Sequence, residues 1–458
     1  MKRNATVRDA LNFSDVLLVP AESNIKPQDV SLKTRLTKNI DINIPLIAAG
    51  LDSVTESAMA IAIAQLGGIG VIHDNMPLGK QVEEVRRVKR AEGNTVMNPI
   101  TVSPDSSVAE ALDLMTTYKI SGLPVVEQPS QKVVGIITSR DLRFFEDYAK
   151  PVSELMSKNV VTVKGNIEKA HAMQLMHERR IEKLVIVDDQ GRCTGLITSK
   201  DIQKLSRYKD AARDAHGRLR VGAAVSLGKD AFDRCAAMTD AGLDVVFVDV
   251  AHAHNKEAAN TVSRIRQQRS AEVQIVAGNV ATPDAARSLM DAGADAIKVG
   301  FCGMKGGASR LGFGVPQFTS VMMIAEQCEM NGVPVILDGG VSDAATLVKA
   351  LAVGAESAVV STLFAGTDEA PGDVLFHEGH AYKIVNPAAK TQHRPAFSTI
   401  VHDPYKVDAD GIDTSVRYRG GIEHVVKHLV DDLRAGMAYA GAKDIKTLQE
   451  LAEFVRAR

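Results

Sequence analysis

Tryptophan is absent from this 458-residue sequence and aromatic residues make up only 4% of it, so any core must be built from aliphatic side chains and alanine. Cysteine is scarce. Cys193, Cys235, Cys302 and Cys328 stand far apart, with neither CxxC pairs nor histidines at zinc spacing, which argues against a disulfide framework and a metal site. That usage fits a reducing cytosol. No apolar run approaches ~18 residues, and Met1 to Phe13 is mixed and polar, so neither a membrane span nor an export signal is expected. Excess charge of one sign is missing too: with a formal charge of −2 and a pI of about 6.6, no global field attracts nucleic acid, and an anionic ligand must be bound locally.

What is present is ordinary globular material, 45% hydrophobic and 24% charged, long enough for two domains. One internal repeat stands out: GIITSRD at Gly135 to Asp141 recurs as GLITSKD at Gly195 to Asp201, 60 residues on. The first copy runs from Met97 through an amphipathic helix (Ala109 to Tyr118) to strands at Leu123 to Val126 and Val133 to Ile137. The second runs from Met156 through Ala170 to Arg179, then Leu184 to Val187, a DDQG turn, and Thr194 to Ile197. Both copies resemble CBS domains, which pack as pairs with adenine or guanine nucleotides between them.

Outside this module, short apolar runs alternate with helical stretches, as in βαβ units on a parallel sheet. Strands are expected at Ile44 to Ala49, Gly68 to His73, Arg220 to Val225, Val245 to Val250, Val273 to Asn279, Ala296 to Gly300, Pro334 to Gly340 and Ser357 to Thr362. Eight mostly continuous apolar strands with helices between them point to a (β/α)8 TIM barrel with an inserted tandem CBS (Bateman) module. An open doubly wound sheet is the alternative, but no G-x-G-x-x-G follows the first strand. The expected divisions are barrel 1–94, module 95–206 (copies 97–146 and 156–205) and barrel 207–458.

A barrel places its active site at the C-terminal strand ends. Strand seven ends in Asp338-Gly339-Gly340 and strand eight in Ser361-Thr362, either a phosphate or ribose cradle or simply tight βα turns. Strand four ends in Asp249, followed by His252 and His254, which either ligate a metal or cap the next helix; no third ligand is evident. After strand six, FCGMKGGASRLGFG (Phe301 to Gly314) carries five glycines, with Cys302 and Lys305 as its strong chemical groups. A cysteine there is either a nucleophile or a small buried residue.

FSDVLLVP, TRLTKNIDINIPLI, GGIGVIHDNM, GRLRVGAAV, AGNVAT, KVG, GVPQ, DGG and AGTDEAPG, in this order and spacing, resemble the IMP dehydrogenase/GMP reductase family over nearly the whole chain. The resemblance implies a purine nucleoside 5′-monophosphate substrate with Asp338 on its ribose hydroxyls, Gly339, Gly340, Ser361 and Thr362 near its phosphate, and Asp410 also on the substrate side. Asp249, Asn279 and Gly300 would face NAD or NADP. It also implies ATP or GTP at the CBS pair, with Thr138 and Thr198 near phosphate and Asp141 and Asp201 on ribose. TSRD and TSKD also suit plain capping. A cytoplasmic homotetramer follows from the resemblance, and an octamer through CBS contacts.

Departures cluster at one pocket. Where the family reads IGPGSICTTR after KVG, this chain reads FCGMKGGASR, with Gly307 at the position of the attacking cysteine, Lys305 at a phosphate-binding serine and Ala308 at the following threonine. Cys302 stands five positions early. Ala48 and Leu51 replace a Ser and a Met, VNPAAK (Val385 to Lys390) replaces YRGMGS, and the Arg-Tyr pair that activates water appears as Pro404-Tyr405. The rewritten loop also argues against the monovalent-cation site. Three readings follow: a divergent NAD(P)-dependent oxidoreductase using Cys302 or another group, a different reaction using Lys305, and a catalytically silent nucleotide sensor.

Overall fold

The computed structural model describes residues 7–91, 96–97, 99–118, 120–143, 145, 147–165, 167, 169–199, 207–269, 273–300, 313–377, 379–384 and 415–457. The chain divides into two compact units, Met1–Ala91 with Asp210–Asp214 and Leu219–Arg458 in one, and Glu92–Lys209 with Ala215–Arg218 in the other.

The first unit is a closed parallel barrel of eight strands. They are β1 (Leu46–Ala48), β2 (Ile69–Ile72), β3 (Gly222–Val225), β4 (Val245–Asp249), β5 (Gln274–Val280), β6 (Ala296–Val299), β7 (Val335–Asp338) and β8 (Ser357–Val360). Each pairs with its neighbours in chain order, Gly222↔Val71 joining β3 to β2 across the insertion, and Ala358↔Leu46 closes the ring. All eight expected strands are present, and the closure decides against the open sheet. The cause is visible in the sequence: β2, β3, β6 and β8 are buried at every position, which suits strands packed between a filled interior and a helical shell. Leu46, Ile47, Ile69, Phe247 and Ile297 are each at most 1% exposed, a burial worth roughly 1.5–3 kcal/mol per side chain.

The shell comprises α1 (Ser57–Gln65), α2 (Leu78–Ala91), α3 (Lys229–Asp240), α4 (Lys256–Arg269), α5 (Pro283–Asp291), α6 (Gln317–Glu329), α7 (Ala344–Ala352) and, later in the chain, α8 (Ile422–Tyr439). Caps set several starts. Asp343 accepts from the Thr346 N–H at 2.7 Å to open α7, and Thr282 precedes Pro283 at the start of α5. Burying Val426, Leu429, Leu433 and Met437 holds α8 against the shell. A three-stranded sheet of Val374–His377, His380–Ile384 and Ser415–Arg417 was not anticipated from the sequence, nor was α8.

The second unit contains two similarly built halves. One combines a helix at Val108–Thr117 with strands Gly122–Glu127 and Lys132–Thr138; the other combines Lys169–Arg179 with Lys183–Val187 and Cys193–Thr198. Each half has its own core, around Val108, Leu123 and Ile137 in the first and Ala172, Leu184 and Ile197 in the second. A third cluster joins them, with Val185, Val187 and Leu196 against Val133 and Ile136. The halves also exchange backbone hydrogen bonds reciprocally, Val133 N–H to the Gly191 carbonyl and Cys193 N–H to the Gln131 carbonyl.

Candidate active site

The C-terminal ends of four consecutive strands deliver one polar network. Lys298 on β6 places Nζ 2.8 Å from Asp249 Oδ1 at the end of β4 and in direct contact with Asp338 Oδ2 at the end of β7. Asn279 on β5 donates from Nδ2 to the same Asp338 oxygen at 2.9 Å. Its own Oδ1 is buried with no hydrogen-bond partner among the described residues. A buried acceptor left in that state is open to a donor from outside the network.

Electrostatics bind the network together. Lys298 is 3% exposed; burial alone would lower its pKa, but the facing carboxylates of Asp249 and Asp338 outweigh this and raise it. Asp249 retains 32% side-chain exposure at the barrel mouth, yet the surrounding protein still desolvates its carboxylate. That desolvation, reinforced by repulsion from Asp338 and Asp74, pushes its pKa up despite the Lys298 ammonium. Asp74, just beyond β2, accepts a hydrogen bond from the Ser226 hydroxyl just beyond β3.

Close backbone approach shapes the pocket. A side chain at position 300 would collide with the Asp338 carbonyl oxygen, so glycine is required for β6 and β7 to meet there. Gly340 has φ +78°, and a Cβ on it would lie 2.5 Å from Gln317 Oε1. Gln317 is buried at the start of α6 and donates from Nε2 to the carbonyls of Asp338 and Gly339 at 3.3 and 3.2 Å, fixing the turn after β7. Ser361 and Thr362 follow β8, at the start of the short helix Thr362–Ala365, on the same rim.

Asp249, Asn279, Gly300 and Asp338 thus converge, with Gly339, Gly340, Ser361 and Thr362 at adjoining strand ends. Lys298 and Gln317 were missed as site residues. The signal for Lys298 was a lysine inside the apolar run AIKV; for Gln317 it was only its place in GVPQ. His252 and His254 sit beyond β4 with ring centroids 6.3 Å apart, and burial lowers the pKa of His252. Among the described residues no group of three or more acidic, histidine or cysteine side chains is arranged to hold a metal. Cys302, Lys305, Gly307, Asp410 and Asp201 lie outside the described residues. In the second unit, Asp141 Oδ2 accepts from both the N–H and the hydroxyl of Thr138, at 2.8 and 2.7 Å, closing a turn; Thr198 ends the corresponding strand of the other half. A cleft of about 530 Å³ lined by Lys38, Asn43, Arg213 and Arg220 lies at the N-terminal strand ends and contains none of the expected site residues.

Fold and site together define a (β/α)8 barrel with a charged, hydrogen-bonded polar network at its mouth. The family described as "IMP dehydrogenase / GMP reductase domain" matches residues 10–458, and the chain belongs to it. Inosine-5′-monophosphate dehydrogenase of Aquifex aeolicus (strain VF5) is 46% identical, covering 98% of this chain and 93% of the relative. The enzyme of that name from Bacillus subtilis (strain 168) is 42% identical with the same coverages. Among solved structures, a cysteine-to-alanine variant of Trypanosoma brucei GMP reductase in complex with guanosine 5′-monophosphate superposes with a TM-score of 0.87 at 34% identity, covering 100% of this chain and 97% of that one. GMP reductase from the same organism in complex with guanosine 5′-triphosphate gives 0.83 at 32% identity, with full coverage of both chains.

Proposed function

We propose that this protein is a divergent NAD(P)-dependent oxidoreductase acting on a purine, or purine-like, nucleoside 5′-monophosphate. The observation that carries the reading is the Asp249–Lys298–Asp338–Asn279 network, which presents two carboxylates and an open amide acceptor at one barrel mouth. In this reading Asp338 accepts from the ribose hydroxyls, and the turn Gly339-Gly340 with Ser361 and Thr362 binds phosphate through amides and hydroxyls. Asp249, Asn279 and Gly300 face the cofactor. The partnerless Asn279 Oδ1 fits a donor such as a carboxamide N–H, and a bound nicotinamide would supply hydride transfer. The relatives named for IMP, and the neighbour holding GMP, support the substrate class.

Gly307 at the family's cysteine position removes the usual nucleophile, so ordinary IMP dehydrogenase turnover should be very weak. Cys302 and Lys305 are the groups in the same segment that would take over, Cys302 as a thiol and Lys305 as a cation or amine. The paired halves of the second unit act as a CBS module binding ATP or GTP through Thr138, Asp141, Thr198 and Asp201, in a cytoplasmic homotetramer that forms octamers through those modules.

Purified protein incubated with IMP, XMP or GMP and NAD(H) or NADP(H), followed at 340 nm, tests this reading. Cofactor turnover with one nucleotide, abolished by Asp338→Ala, is expected. Binding without any turnover would favour a silent nucleotide sensor, and binding of none of them would sink the substrate class.

A further inference from the structure

An ammonium group as buried as that of Lys298 is tolerated only when closely paired, and its partners come from two different sides of the proposed site. Asp338 belongs to the nucleotide side and Asp249 to the cofactor side. Asp249 also feels the negative charge of Asp74, and Asn279, which donates to Asp338, is neutral. Among the described residues, Lys298 is the cation in contact with both carboxylates.

We infer that Lys298 is a positioning residue that couples the two ligand subsites: its ammonium holds the Asp338 and Asp249 carboxylates side by side, each presented to its own ligand. The inference rests on the assignment of Asp338 to ribose and Asp249 to cofactor made above. Without the ammonium, the desolvated Asp249 carboxylate, facing Asp338 and Asp74, loses the opposing charge in contact with it and takes up a proton. The protonated Asp249 carboxyl then donates towards Asp338, which is no longer available as a full acceptor for the ribose diol. Raising the pH removes the proton and returns the acceptor.

The test is calorimetric titration of the full chain with GMP and IMP between pH 7 and 9, where the phosphate is already dianionic because its second ionisation lies near 6. The parent should bind with nearly constant affinity across this range. Lys298→Met should bind at least about tenfold more weakly at pH 7 and recover toward the parent by pH 9, while Lys298→Arg stays within about threefold, since it keeps the charge. Combining Lys298→Met with Asp249→Asn removes one carboxylate along with the ammonium, so nucleotide affinity at pH 7 should return to within about threefold of the parent. A merely structural lysine predicts the opposite, a pH-independent loss that the second substitution deepens. That pattern would overturn the inference. So would unchanged binding by Lys298→Met while Asp338→Ala abolishes it, leaving the functional reading intact. A parent that bound neither nucleotide would overturn both.

Discussion

Cys235 lies within α3 beside Thr239 and Cys328 near the end of α6, both buried, and burial pushes their thiols up, that of Cys328 to about 12. Cys193, in a strand of the second unit, is half-buried and pushed up to about 11. A thiol with a pKa near 11 is below ~0.1% thiolate at pH 7.5, and the thiolate is the nucleophile. Native protein treated with an aromatic disulfide reagent should therefore show at most one fast-reacting thiol, Cys302, with the other three reacting on unfolding. Cys302→Ala should remove the fast phase, and a fast phase persisting in that variant would show that another cysteine is reactive. At this scale the sequence revealed residues that stand at strand ends. Asp249 and Asp338 were legible because a carboxylate closing an apolar run points at the barrel mouth. Lys298 was not, because a lysine inside a strand announces neither which face it occupies nor which two strands supply its counter-charges.

Between elements, one carboxylate ties the start of α1 to the strand and helix that follow it. Glu56, which precedes α1, has Oε1 2.8 Å from Lys80 Nζ on α2 and 3.7 Å from Nε2 of the buried His73, just beyond β2. The polar approach of the His73 ring, with further help from Lys80, outweighs burial and holds the Glu56 carboxyl at about 2, below its ordinary 4.5. A carboxyl depressed on folding contributes stability that is fully present above about 4.5 and disappears as pH falls through about 2. Because Glu56 is 31% exposed, solvent screening limits the effect, and Glu56→Gln should destabilise the barrel by about 1–2 kcal/mol at pH 7. Thermal unfolding of parent and variant should show this gap narrowing steadily from pH 5 to pH 3; a gap that is constant with pH would place the effect outside this ion pair. The eight strands and both helix–strand–strand copies were legible because burial on both faces, or an amphipathic stripe, leaves a periodic trace. The sheet of Val374–His377, His380–Ile384 and Ser415–Arg417 was not. Its first strand is exposed throughout, so no buried face imposes a pattern on the sequence.

For the whole molecule, the insertion leaves and re-enters the barrel at neighbouring points. Lys89, two residues before the end of α2, is 4% exposed and contacts Asp214 at 3.1 Å and Asp244 at 2.6 Å. With the ends joined in this way and each unit holding a separate core, residues 92–209 should be replaceable by a short Gly/Ser linker. The shortened protein is expected to fold and to bind nucleoside monophosphates within about threefold of the parent. Loss of cooperative thermal unfolding would show that the barrel needs the insertion to fold. The full chain should in addition release heat with ATP or GTP that the shortened protein does not; equal heats from both would remove the nucleotide from the second unit. Among the described residues no helix is long and apolar enough to cross a membrane.

The sequence alone determined the barrel, the repeated insertion and the acidic strand ends, because apolar periodicity and repeated motifs are local properties that survive in one dimension. Closure of the ring through Ala358↔Leu46 was decided only in three dimensions. So was the meeting of Asp249, Asn279, Lys298 and Asp338 around one ammonium, since residues 89 positions apart become neighbours only when adjacent parallel strands bring their C-terminal ends to the same rim.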